Sequence, residues 1–241
     1  MIMKKFTGLI LRWLASTKIL SFPRKIFVKA VTYAFLSRGI LVSHYYTPDK
    51  TKILDLVRQV KDEVDILLTD TDAYQIVITV KATEKIEGDV AEVGVGSGGS
   101  AKIICETKGD RHLHLFDTFE GLPEPEGIDA PFYKGEYCYS FKGVKEYLQK
   151  YKNLHFYVGL FPLTAEPIRN KKFSFVHLDA DLYKTTLDAL EFFYPRMNPG
   201  GVIISHDYIR CGVKKAFDEF FKDKPEPIIQ LIDSQSLIVK I

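Results

Sequence analysis

The chain has 241 residues, of which 46% are hydrophobic and 27% are charged, so it is long enough to build a core without disulfides or a structural metal. Its three cysteines, Cys105, Cys138 and Cys211, are far apart and form no C-x-x-C pair, which argues against a secreted disulfide framework or a zinc ribbon and for a cytoplasmic protein. The net charge of +2 is unevenly spread, because the N-terminal segment is basic.

An apolar and basic helical arm is predicted over residues 1–48. Eight lysines and arginines and no acidic residue lie within residues 1–43, so the rest of the chain has a net charge of −6, which is +2 minus eight. The apolar stretch Phe6–Leu14 is too short to cross a bilayer. Two interpretations stay open: a helical cap that packs on the domain or on a second subunit of a homo-oligomer, or a helix in peripheral contact with an anionic membrane through residues 1–43.

A helical cap is predicted over residues 49–87. Thr51–Leu68 and Asp72–Lys85 carry apolar residues at helical spacing, and Asp49 and Asp72 are expected to be their N-caps. The second helix contains the β-branched run from Ile76 to Val80, which lowers its helical propensity. We expect these two helices to roof an active site.

From residue 88 onward, short apolar runs alternate with amphipathic segments. Five successive strands are predicted at Asp89–Val95, His112–Asp117, Leu154–Gly159, Phe173–Asp179 and Gly201–Asp207. The predicted helices are Ala101–Lys108, Phe141–Tyr151, Tyr183–Met197 and Arg210–Lys222. Continuous apolar runs suit strands that are covered on both faces, so the alternation predicts a doubly wound α/β fold with a mostly parallel sheet.

Two further strands are predicted at Ile228–Ile232 and Leu237–Ile241, separated only by the turn-forming segment Asp233–Ser236. Because so short a linker cannot hold a crossover helix, these strands must run antiparallel. A mostly parallel, seven-stranded sheet that ends in an antiparallel hairpin is typical of the Rossmann-like class I methyltransferases and not of a simple dinucleotide domain. We therefore predict that residues 88–241 form a methyltransferase domain that binds S-adenosylmethionine.

A glycine-rich turn follows the first strand of this domain. Gly94, Gly96 and Gly99 satisfy the pattern G-x-G-x-x-G, in which the backbone turns tightly and approaches a cofactor closely. The pattern alone fits S-adenosylmethionine, a dinucleotide cofactor, or a turn that binds no ligand.

Polar residues beside the turn favour S-adenosylmethionine. A carboxylate at Glu92 can receive the ammonium group of the methionyl part, whereas it would repel a pyrophosphate. Glu92 could also be a solvated surface charge. Ser100, at the start of the following helix, offers a hydroxyl to the methionyl carboxylate. Asp117 ends the second strand, where a carboxylate is expected to bind the ribose hydroxyls.

Acidic residues and a histidine follow the fourth and fifth strands. Asp179, His206 and Asp207 are expected to converge, because the ligand crevice of an open α/β sheet lies at the carboxyl ends of its strands. They could hold a divalent cation that acidifies a substrate hydroxyl. Alternatively, His206, with an ordinary pKa near neutrality, could remove the hydroxyl proton as a general base. The structural alternatives are that Asp181 caps the following helix and that His206 is only a hydrogen-bonded strand-end residue.

A long segment over residues 118–140 is predicted to be irregular, because it is rich in glycine and proline. Long loops within compact domains are often functional lids. Phe132, Tyr133, Tyr137 and Tyr139 could stack on a sugar ring, or they could anchor the loop.

Four ordered sequence blocks resemble the macrocin O-methyltransferase family, whose members methylate sugar hydroxyls of macrolides and related glycosides. The blocks are AEVGVGSGGS at 91–100, FDTFEGLP at 116–123, HLDADLY at 177–183 and PGGVIISHDY at 199–208. The resemblance covers about residues 85–210 and leaves out the N-terminal arm. It implies cofactor contacts at Glu92, Gly94, Gly96, Ser100, Asp117, Phe119, Gly159, Phe161 and Asp179.

The resemblance also implies a magnesium site, formed by one aspartate after the fourth strand and an Asp-Asp pair after the fifth. Carried onto this chain, the ligands and catalytic residues would be Asp179, His206 and Asp207. His206 departs from the family pattern, which has aspartate there. Because magnesium prefers hard oxygen ligands, the change favours manganese, iron or zinc, or a metal-free site with His206 as the base.

The predicted function is S-adenosylmethionine-dependent O-methylation of a sugar or a glycosylated metabolite. One alternative is a nucleotide-dependent oxidoreductase, which the terminal hairpin disfavours. Another is a non-catalytic scaffold protein that binds S-adenosylmethionine. A nucleic-acid substrate is disfavoured, because the catalytic portion is net acidic and a phosphate backbone needs a basic track.

Overall fold

The computed structural model describes residues 48–241 and, before them, the single helical positions Ile26, Lys29, Ala30 and Tyr33. The chain divides into two compact units, Met1–Pro48 and Asp49–Ile241. The arm predicted over residues 1–48, with its expected subunit or membrane contact, thus lies almost entirely outside the described residues. Within the described part of the chain, every helix is too short or too polar to cross a bilayer.

Helices and strands alternate along the second unit, as the hydrophobic pattern predicts. The helices are α1 (Pro48–Glu63), α2 (Asp70–Ala82), α3 (Gly99–Cys105), α4 (Phe141–Leu148), α5 (Tyr183–Phe193) and α6 (Cys211–Phe221). The strands are β1 (Asp89–Val93), β2 (Leu113–Asp117), β3 (Leu154–Val158), β4 (Phe173–Leu178), β5 (Met197–Ser205), β6 (Ile229–Gln230) and β7 (Ser236–Val239).

The seven strands form one sheet in the order β3-β2-β1-β4-β5-β7-β6. Strands β1 to β5 pair in parallel, whereas β7 runs antiparallel to both β5 and β6. The predicted fold class, a mostly parallel seven-stranded sheet with a terminal antiparallel hairpin, is confirmed. The strand order reverses direction at β1 and β4, so the carboxyl ends of these two strands flank the crevice where ligands bind in such sheets.

Helices cover the sheet on both faces, which explains why the central strands are mostly apolar and almost fully buried. Alternate strand residues point to opposite faces: Val90 and Phe175 belong to a core with α1, α2, α3 and α4. Their neighbours Ala91 and Val176 belong to a second core with α5 and α6. All six residues of β4 are buried, as a strand between two helical layers requires.

The two cap helices begin and end differently from the prediction. α1 starts at Pro48, so Asp49 lies in its first turn rather than at the N-cap, and it ends at Glu63 instead of Leu68. α2 is capped by Thr69, not by Asp72. The β-branched run within α2 is helical because Ile76, Val77 and Val80 are fully buried in the core that α2 shares with the sheet, whereas Ile78 lies on the exposed face of the helix.

The predicted helix Tyr183–Met197 ends early, at Phe193. Pro195 has no N–H group to continue the helical hydrogen bonds, and a short 3-10 turn over Tyr194–Arg196 leads directly into β5. β5 therefore starts at Met197 rather than at Gly201.

Candidate active site

A cavity of about 400 Å³ opens at the carboxyl ends of the parallel strands, within the size range of small-molecule sites. It brings together most of the residues predicted from the sequence. Nine of them lie on its wall: Gly94, Gly96, Ser100, Asp117, Gly159, Phe161, Asp179, His206 and Asp207. The two predicted cofactor residues that do not lie on the wall are Glu92 and Phe119.

The turn over residues 94–99, here called the glycine turn, is held by the carboxylate of Asp117. One oxygen of that carboxylate accepts hydrogen bonds from the backbone N–H groups of Val95 (2.7 Å) and Gly96 (2.9 Å). The other accepts a hydrogen bond from the N–H of Phe119 at 2.7 Å. Asp117 therefore shapes the turn and lies on the cavity wall.

Packing of the protein alone requires glycine at position 94, whether or not a ligand is bound. Its backbone has a φ of +89°, a conformation that favours glycine. A Cβ atom at this position would lie 1.8 Å from the carbonyl oxygen of Asp179. The glycine thus lets the end of β1 approach the end of β4, which places Asp179 beside the turn.

Glu92 lies beneath the glycine turn, in the sheet, and is fully buried. The alternative that it is a solvated surface charge is therefore wrong. Its Oε1 lies 2.8 Å from Nδ1 of His177, which is its partner on β4. Burial raises the pKa of Glu92, although the hydrogen bond with His177 opposes that effect. Its Oε2 has no hydrogen-bond partner among the residues that the structure describes.

Phe119 turns away from the cavity. Its φ of 56° is left-handed, and its ring packs on Phe141 with 5.1 Å between centroids. The neighbouring Thr118 lies on the cavity wall in its place.

A cluster of four aspartates and one histidine, here called the acidic centre, forms the other half of the site. It consists of Asp72, Asp179, Asp181, His206 and Asp207. Nδ1 of His206 lies 3.0 Å from Oδ1 of Asp179 and 3.2 Å from Oδ2 of Asp207. On the other side of the ring, Nε2 lies 3.8 Å from Oδ2 of Asp72.

The expectation of an ordinary pKa for His206 is wrong. Burial alone would lower the pKa of the imidazole, but the charge of Asp179, the hydrogen bond with Asp179 and the nearby carboxylates of Asp207 and Asp72 raise it well above its usual value. In a site that holds no cation, this setting favours the protonated ring, which donates hydrogen bonds and stabilises negative charge.

Asp181 does not cap α5, contrary to one of the alternatives. Its φ is 57°, and the first N–H group of α5, that of Tyr183, donates instead to Oδ1 of Asp129 at 2.8 Å. Burial and repulsion from Asp179 and Asp207 raise the pKa of Asp181 well above its usual value.

The spacing and the chemical types of the side-chain atoms show whether magnesium, the metal implied by the family resemblance, suits this site. Three ligand atoms, one each from Asp179, His206 and Asp207, lie within 4.8 Å of one another, so these side chains are close enough to hold an ion. One of these atoms is an imidazole nitrogen, however, whereas magnesium takes oxygen ligands. The residues present therefore do not fit magnesium.

Asp72 is a contact of His206 that the sequence analysis did not predict. It lies in the first turn of α2, far from β5 along the chain, where its side chain forms a capping box with Thr69. The spacing Thr69-x-x-Asp72 marks the start of a helix, but nothing in the local sequence links Asp72 to His206.

The lid and the roof complete the cavity. The segment 118–140 is irregular apart from a short 3-10 turn over Gly127–Asp129. Of the four aromatic residues expected to stack on a sugar ring or anchor the loop, Tyr137 and Tyr139 lie on the wall, whereas Phe132 packs on Tyr137 with 6.3 Å between ring centroids. The roof is formed by the segment between α1 and α2, residues 65–68, rather than by the helices themselves.

Comparisons with known proteins identify the family of the chain. A family profile described as "Macrocin-O-methyltransferase (TylF)" matches residues 71–239. A tetracenomycin-C derivative 4'-O-methyltransferase of Streptomyces olivaceus is 29% identical over 166 residues, which are 62% of this chain and 64% of that protein. Demethyldecarbamoylnovobiocin O-methyltransferase of Streptomyces niveus is 26% identical over 156 residues, which are 56% of this chain and 58% of that protein. In both cases the match spans less than two thirds of the relative.

Among solved structures, the O-methyltransferase NovP has the same fold. It superposes with a TM-score of 0.66 at 23% identity, over 73% of this chain and 81% of that chain.

Proposed function

Because the chain belongs to the macrocin O-methyltransferase family, we propose that it transfers a methyl group from S-adenosylmethionine to a hydroxyl group of a sugar or of a glycosylated metabolite. The observation that carries the proposal is the juxtaposition of the glycine turn and the acidic centre on one cavity wall. The first suits a cofactor with a cationic methionyl part, and the second suits a hydroxyl acceptor.

The cofactor half of the proposal rests on the chemistry of the glycine turn. Asp117 lies on the cavity wall where a ribose would bind, and Ser100 lies in the first turn of α3 and also on that wall. The buried Oε2 of Glu92, which lacks a partner among the described residues, suits an ammonium group or a water bound to one. Gly96, Gly159 and Phe161 complete the proposed cofactor contacts, while Phe119 supports the wall from behind.

The chain's own residues would direct the transfer. S-adenosylmethionine, when bound, supplies a methyl group on a cationic sulfur. A hydroxyl oxygen held in line with that methyl group forms the new C–O bond as the C–S bond breaks. The hydroxyl proton passes to Asp179 or Asp207, the carboxylates beside His206. The imidazolium of His206 stabilises the negative charge that develops on the oxygen.

The acceptor class rests on family membership and on one relative. The Streptomyces olivaceus protein is named as the 4'-O-methyltransferase of 8-demethyl-8-(2,3-dimethoxy-alpha-L-rhamnosyl)-tetracenomycin-C, whose name contains a rhamnosyl group. Tyr137 and Tyr139 offer aromatic faces to such a ring at the cavity wall. The three free cysteines support the cytoplasmic location that belongs to this proposal.

Calorimetry and an activity assay test the proposal together. We expect the full chain to bind S-adenosylhomocysteine and not NAD, and to transfer labelled methyl groups from S-adenosylmethionine to a rhamnoside. Binding of NAD without S-adenosylhomocysteine would favour an oxidoreductase. Binding of S-adenosylhomocysteine without transfer to any of a panel of glycosides would favour a scaffold protein.

A further inference from the structure

The lid, residues 118–140, is closed by a narrow neck. The N–H of Leu122 donates to the carbonyl oxygen of Glu136 at 2.8 Å, and the N–H of Gly135 donates to the carbonyl oxygen of Leu122 at 2.9 Å. Gly121 packs closely on this crossing, because a Cβ atom there would lie 2.4 Å from the backbone of Gly135. The neck separates residues 123–134, here called the outer lid, from the two tyrosines of the cavity wall that follow it.

Asp129 fastens the outer lid to the N-terminal ends of α5 and α6. It is 3% exposed. Its Oδ1 accepts a hydrogen bond from the N–H of Tyr183, the first residue of α5, at 2.8 Å, and its Oδ2 accepts one from the N–H of Glu126 at 3.1 Å. A Cβ atom at Gly212, in the first turn of α6, would lie 2.0 Å from the same Oδ1. The carboxylate therefore fills a space that only glycine leaves open.

Neither of these helices is capped by its own N-cap residue. Leu182 before α5 and Arg210 before α6 make no side-chain capping hydrogen bond. The first N–H groups of a helix need acceptors, and the helix dipole favours a carboxylate there. Asp129 supplies that group from the lid. Because α5 and α6 follow the strand ends that carry Asp181 and Asp207, the outer lid is tied to the segments that form the acidic centre.

A short series of contacts leads from Asp129 to the cavity. The N–H of Phe132 donates to the carbonyl oxygen of Asp129 at 3.1 Å. The ring of Phe132 packs edge-on against Tyr137, and the guanidinium of Arg210 lies 5.5 Å from the centre of the Phe132 ring. Tyr137 lies on the cavity wall with a φ of 60°, a conformation that residues other than glycine rarely adopt. The packing of Phe132 supports it there.

The two tyrosines of the lid lie against different halves of the site. Tyr139 lies against the glycine turn, since a Cβ atom at Gly96 would be 3.5 Å from its Cε2. Burial and the charge of Asp181 raise the pKa of Tyr137 to about 12, which shows that its hydroxyl lies near the acidic centre. The contacts of Asp129 therefore bear on the half of the site that suits the acceptor.

We propose that Asp129 is a positioning residue for the acceptor, because it fastens the outer lid to α5 and α6 and thereby holds Tyr137 where the acceptor binds. The inference rests on the proposed function and concerns the acceptor side of the same site. Asp129 itself does not lie on the cavity wall. It acts through Phe132 and Tyr137 rather than by contact with a ligand.

A double-mutant cycle tests this route. Asparagine has a single side-chain oxygen and cannot accept from both Tyr183 and Glu126. We expect Asp129→Asn to raise KM for a rhamnoside acceptor roughly tenfold, the order of loss when a buried donor is left unpaired, with an unchanged Kd for S-adenosylhomocysteine. In a Tyr137→Ala background the same change should alter KM less than about twofold, because its route is already removed. In a Tyr139→Ala background, at saturating S-adenosylmethionine, the full effect should remain.

Gly212→Ala breaks the same contact from the helix side. The added methyl group would lie 2.0 Å from Oδ1 of Asp129, so the carboxylate must move. We expect KM for the acceptor to rise as it does in Asp129→Asn, again with an unchanged Kd for S-adenosylhomocysteine. Gly143→Ala is the matched control: Gly143 lies in the first turn of α4, and a Cβ atom there would meet only the side chain of Ser140, at 3.6 Å.

Trypsin cleavage tests the fastening without any acceptor. Lys134 is exposed and is the only lysine or arginine of the lid, so cleavage after it reports opening of the outer lid. We expect Asp129→Asn and Gly212→Ala to raise the rate of this cut roughly tenfold, because the cut follows local opening. Glu124→Gln, a change of an exposed acidic residue of the same lid, should leave the rate unchanged. Cleavage after Lys150, outside the lid, is the internal reference.

Two results would overturn the proposal. One is a rise in acceptor KM for Asp129→Asn that is just as large in the Tyr137→Ala background. The other is wild-type KM and wild-type cleavage after Lys134 in folded Asp129→Asn and Gly212→Ala variants. If Asp129→Asn does not fold, Gly212→Ala still decides. Failure of the wild type to bind S-adenosylhomocysteine or to methylate any glycoside would instead count against the proposed function, and the trypsin result would still show whether Asp129 fastens the lid.

Discussion

The glycine turn and the acidic centre lie on one cavity wall, but they are built in different ways. The glycine turn is a short continuous segment, shaped by backbone N–H groups that donate to Asp117 and by the absence of a Cβ atom at Gly94. The acidic centre joins side chains from α2, β4 and β5, and opposing charges hold it together. In the proposed function, binding of the cofactor thus depends on backbone shape, whereas the chemical step depends on charge balance.

The difference extends to strain and protonation. Asp181 and Asp207 both have a positive φ, at 57° and 53°, which costs on the order of 1 kcal/mol or more for residues other than glycine. Burial would raise the pKa of Asp207, but hydrogen bonding and attraction by His206 lower it. The acidic centre therefore holds two strained aspartates, of which Asp207 is kept charged by His206 while Asp181 is shifted towards its neutral form, whereas the left-handed positions of the glycine turn are glycines.

His206→Ala should separate the two regions most sharply. We expect kcat to fall on the order of 10²- to 10³-fold, because a positioned charge that stabilises the developing oxyanion is removed. Affinity for S-adenosylhomocysteine should stay nearly unchanged, since the glycine turn is untouched. Steady-state assays and calorimetry measure the two effects.

Because His206→Ala leaves several carboxylates without their cation, the variant could lose stability. His206→Gln provides a second measurement with a ring-sized polar side chain. If both variants fold and retain full activity, the proton and charge chemistry of the reaction lies elsewhere in the cavity.

Asp117→Ala should have the opposite effect and a smaller one. Loss of the Asp117 carboxylate removes the acceptor for the N–H groups of Val95 and Gly96 and the expected contact with the ribose. S-adenosylhomocysteine should therefore bind about 2 kcal/mol more weakly, which is a roughly 30-fold loss of affinity. At saturating cofactor, kcat should change little. Asp110→Ala is the control, because Asp110 is exposed. Unchanged affinity in Asp117→Ala would remove this residue from the cofactor site.

The same contrast explains what the sequence could predict. The glycine turn, its flanking strand and Asp117 lie within one βαβ unit, so a local pattern identifies them. The sheet and its terminal hairpin were also predictable, since strand spacing and linker length leave few topologies. Helix ends were less predictable: Thr69 and not Asp72 caps α2, and α5 ends early, two residues before Pro195. A helix end depends on single side-chain hydrogen bonds and on the missing N–H group of proline, and the spacing of apolar residues does not show these.

The acidic centre was predictable only in part. Asp179, His206 and Asp207 follow strand ends, so topology alone brings them together. The contact of Asp72 with His206, the inward placement of Glu92 against His177 and the outward turn of Phe119 depend on tertiary packing that no local pattern encodes. The pKa of His206 could not be predicted either, since the carboxylates of Asp72 and Asp179, from distant segments, raise it together with that of the adjacent Asp207.

The smallest effect on methyl transfer is expected from Glu63→Gln, which tests whether charges near the glycine turn have only a structural role. Glu63, at the end of α1, forms an ion pair with the buried Lys102 of α3 and accepts a hydrogen bond from Tyr147 at 2.8 Å. Hydrogen bonds with Lys102, Gln59 and Tyr147 lower the pKa of Glu63 to about 2. The pair lies behind the turn, so kcat and cofactor affinity should stay unchanged, while the free energy of unfolding should fall by about 1 kcal/mol at neutral pH.

The pH dependence of that stability difference follows from the direction of the shift. The pKa of Glu63 is about 2 in the folded chain and 4.5 without its partners, so the folded state binds the proton less readily than the unfolded state. Its contribution is complete above pH 4.5 and is lost as the pH falls towards 2. Urea unfolding of both proteins over this range should therefore show their difference shrinking with acid. A difference that stays constant, or a Glu63→Gln variant with weakened cofactor binding at neutral pH, would show that charge also controls the glycine turn.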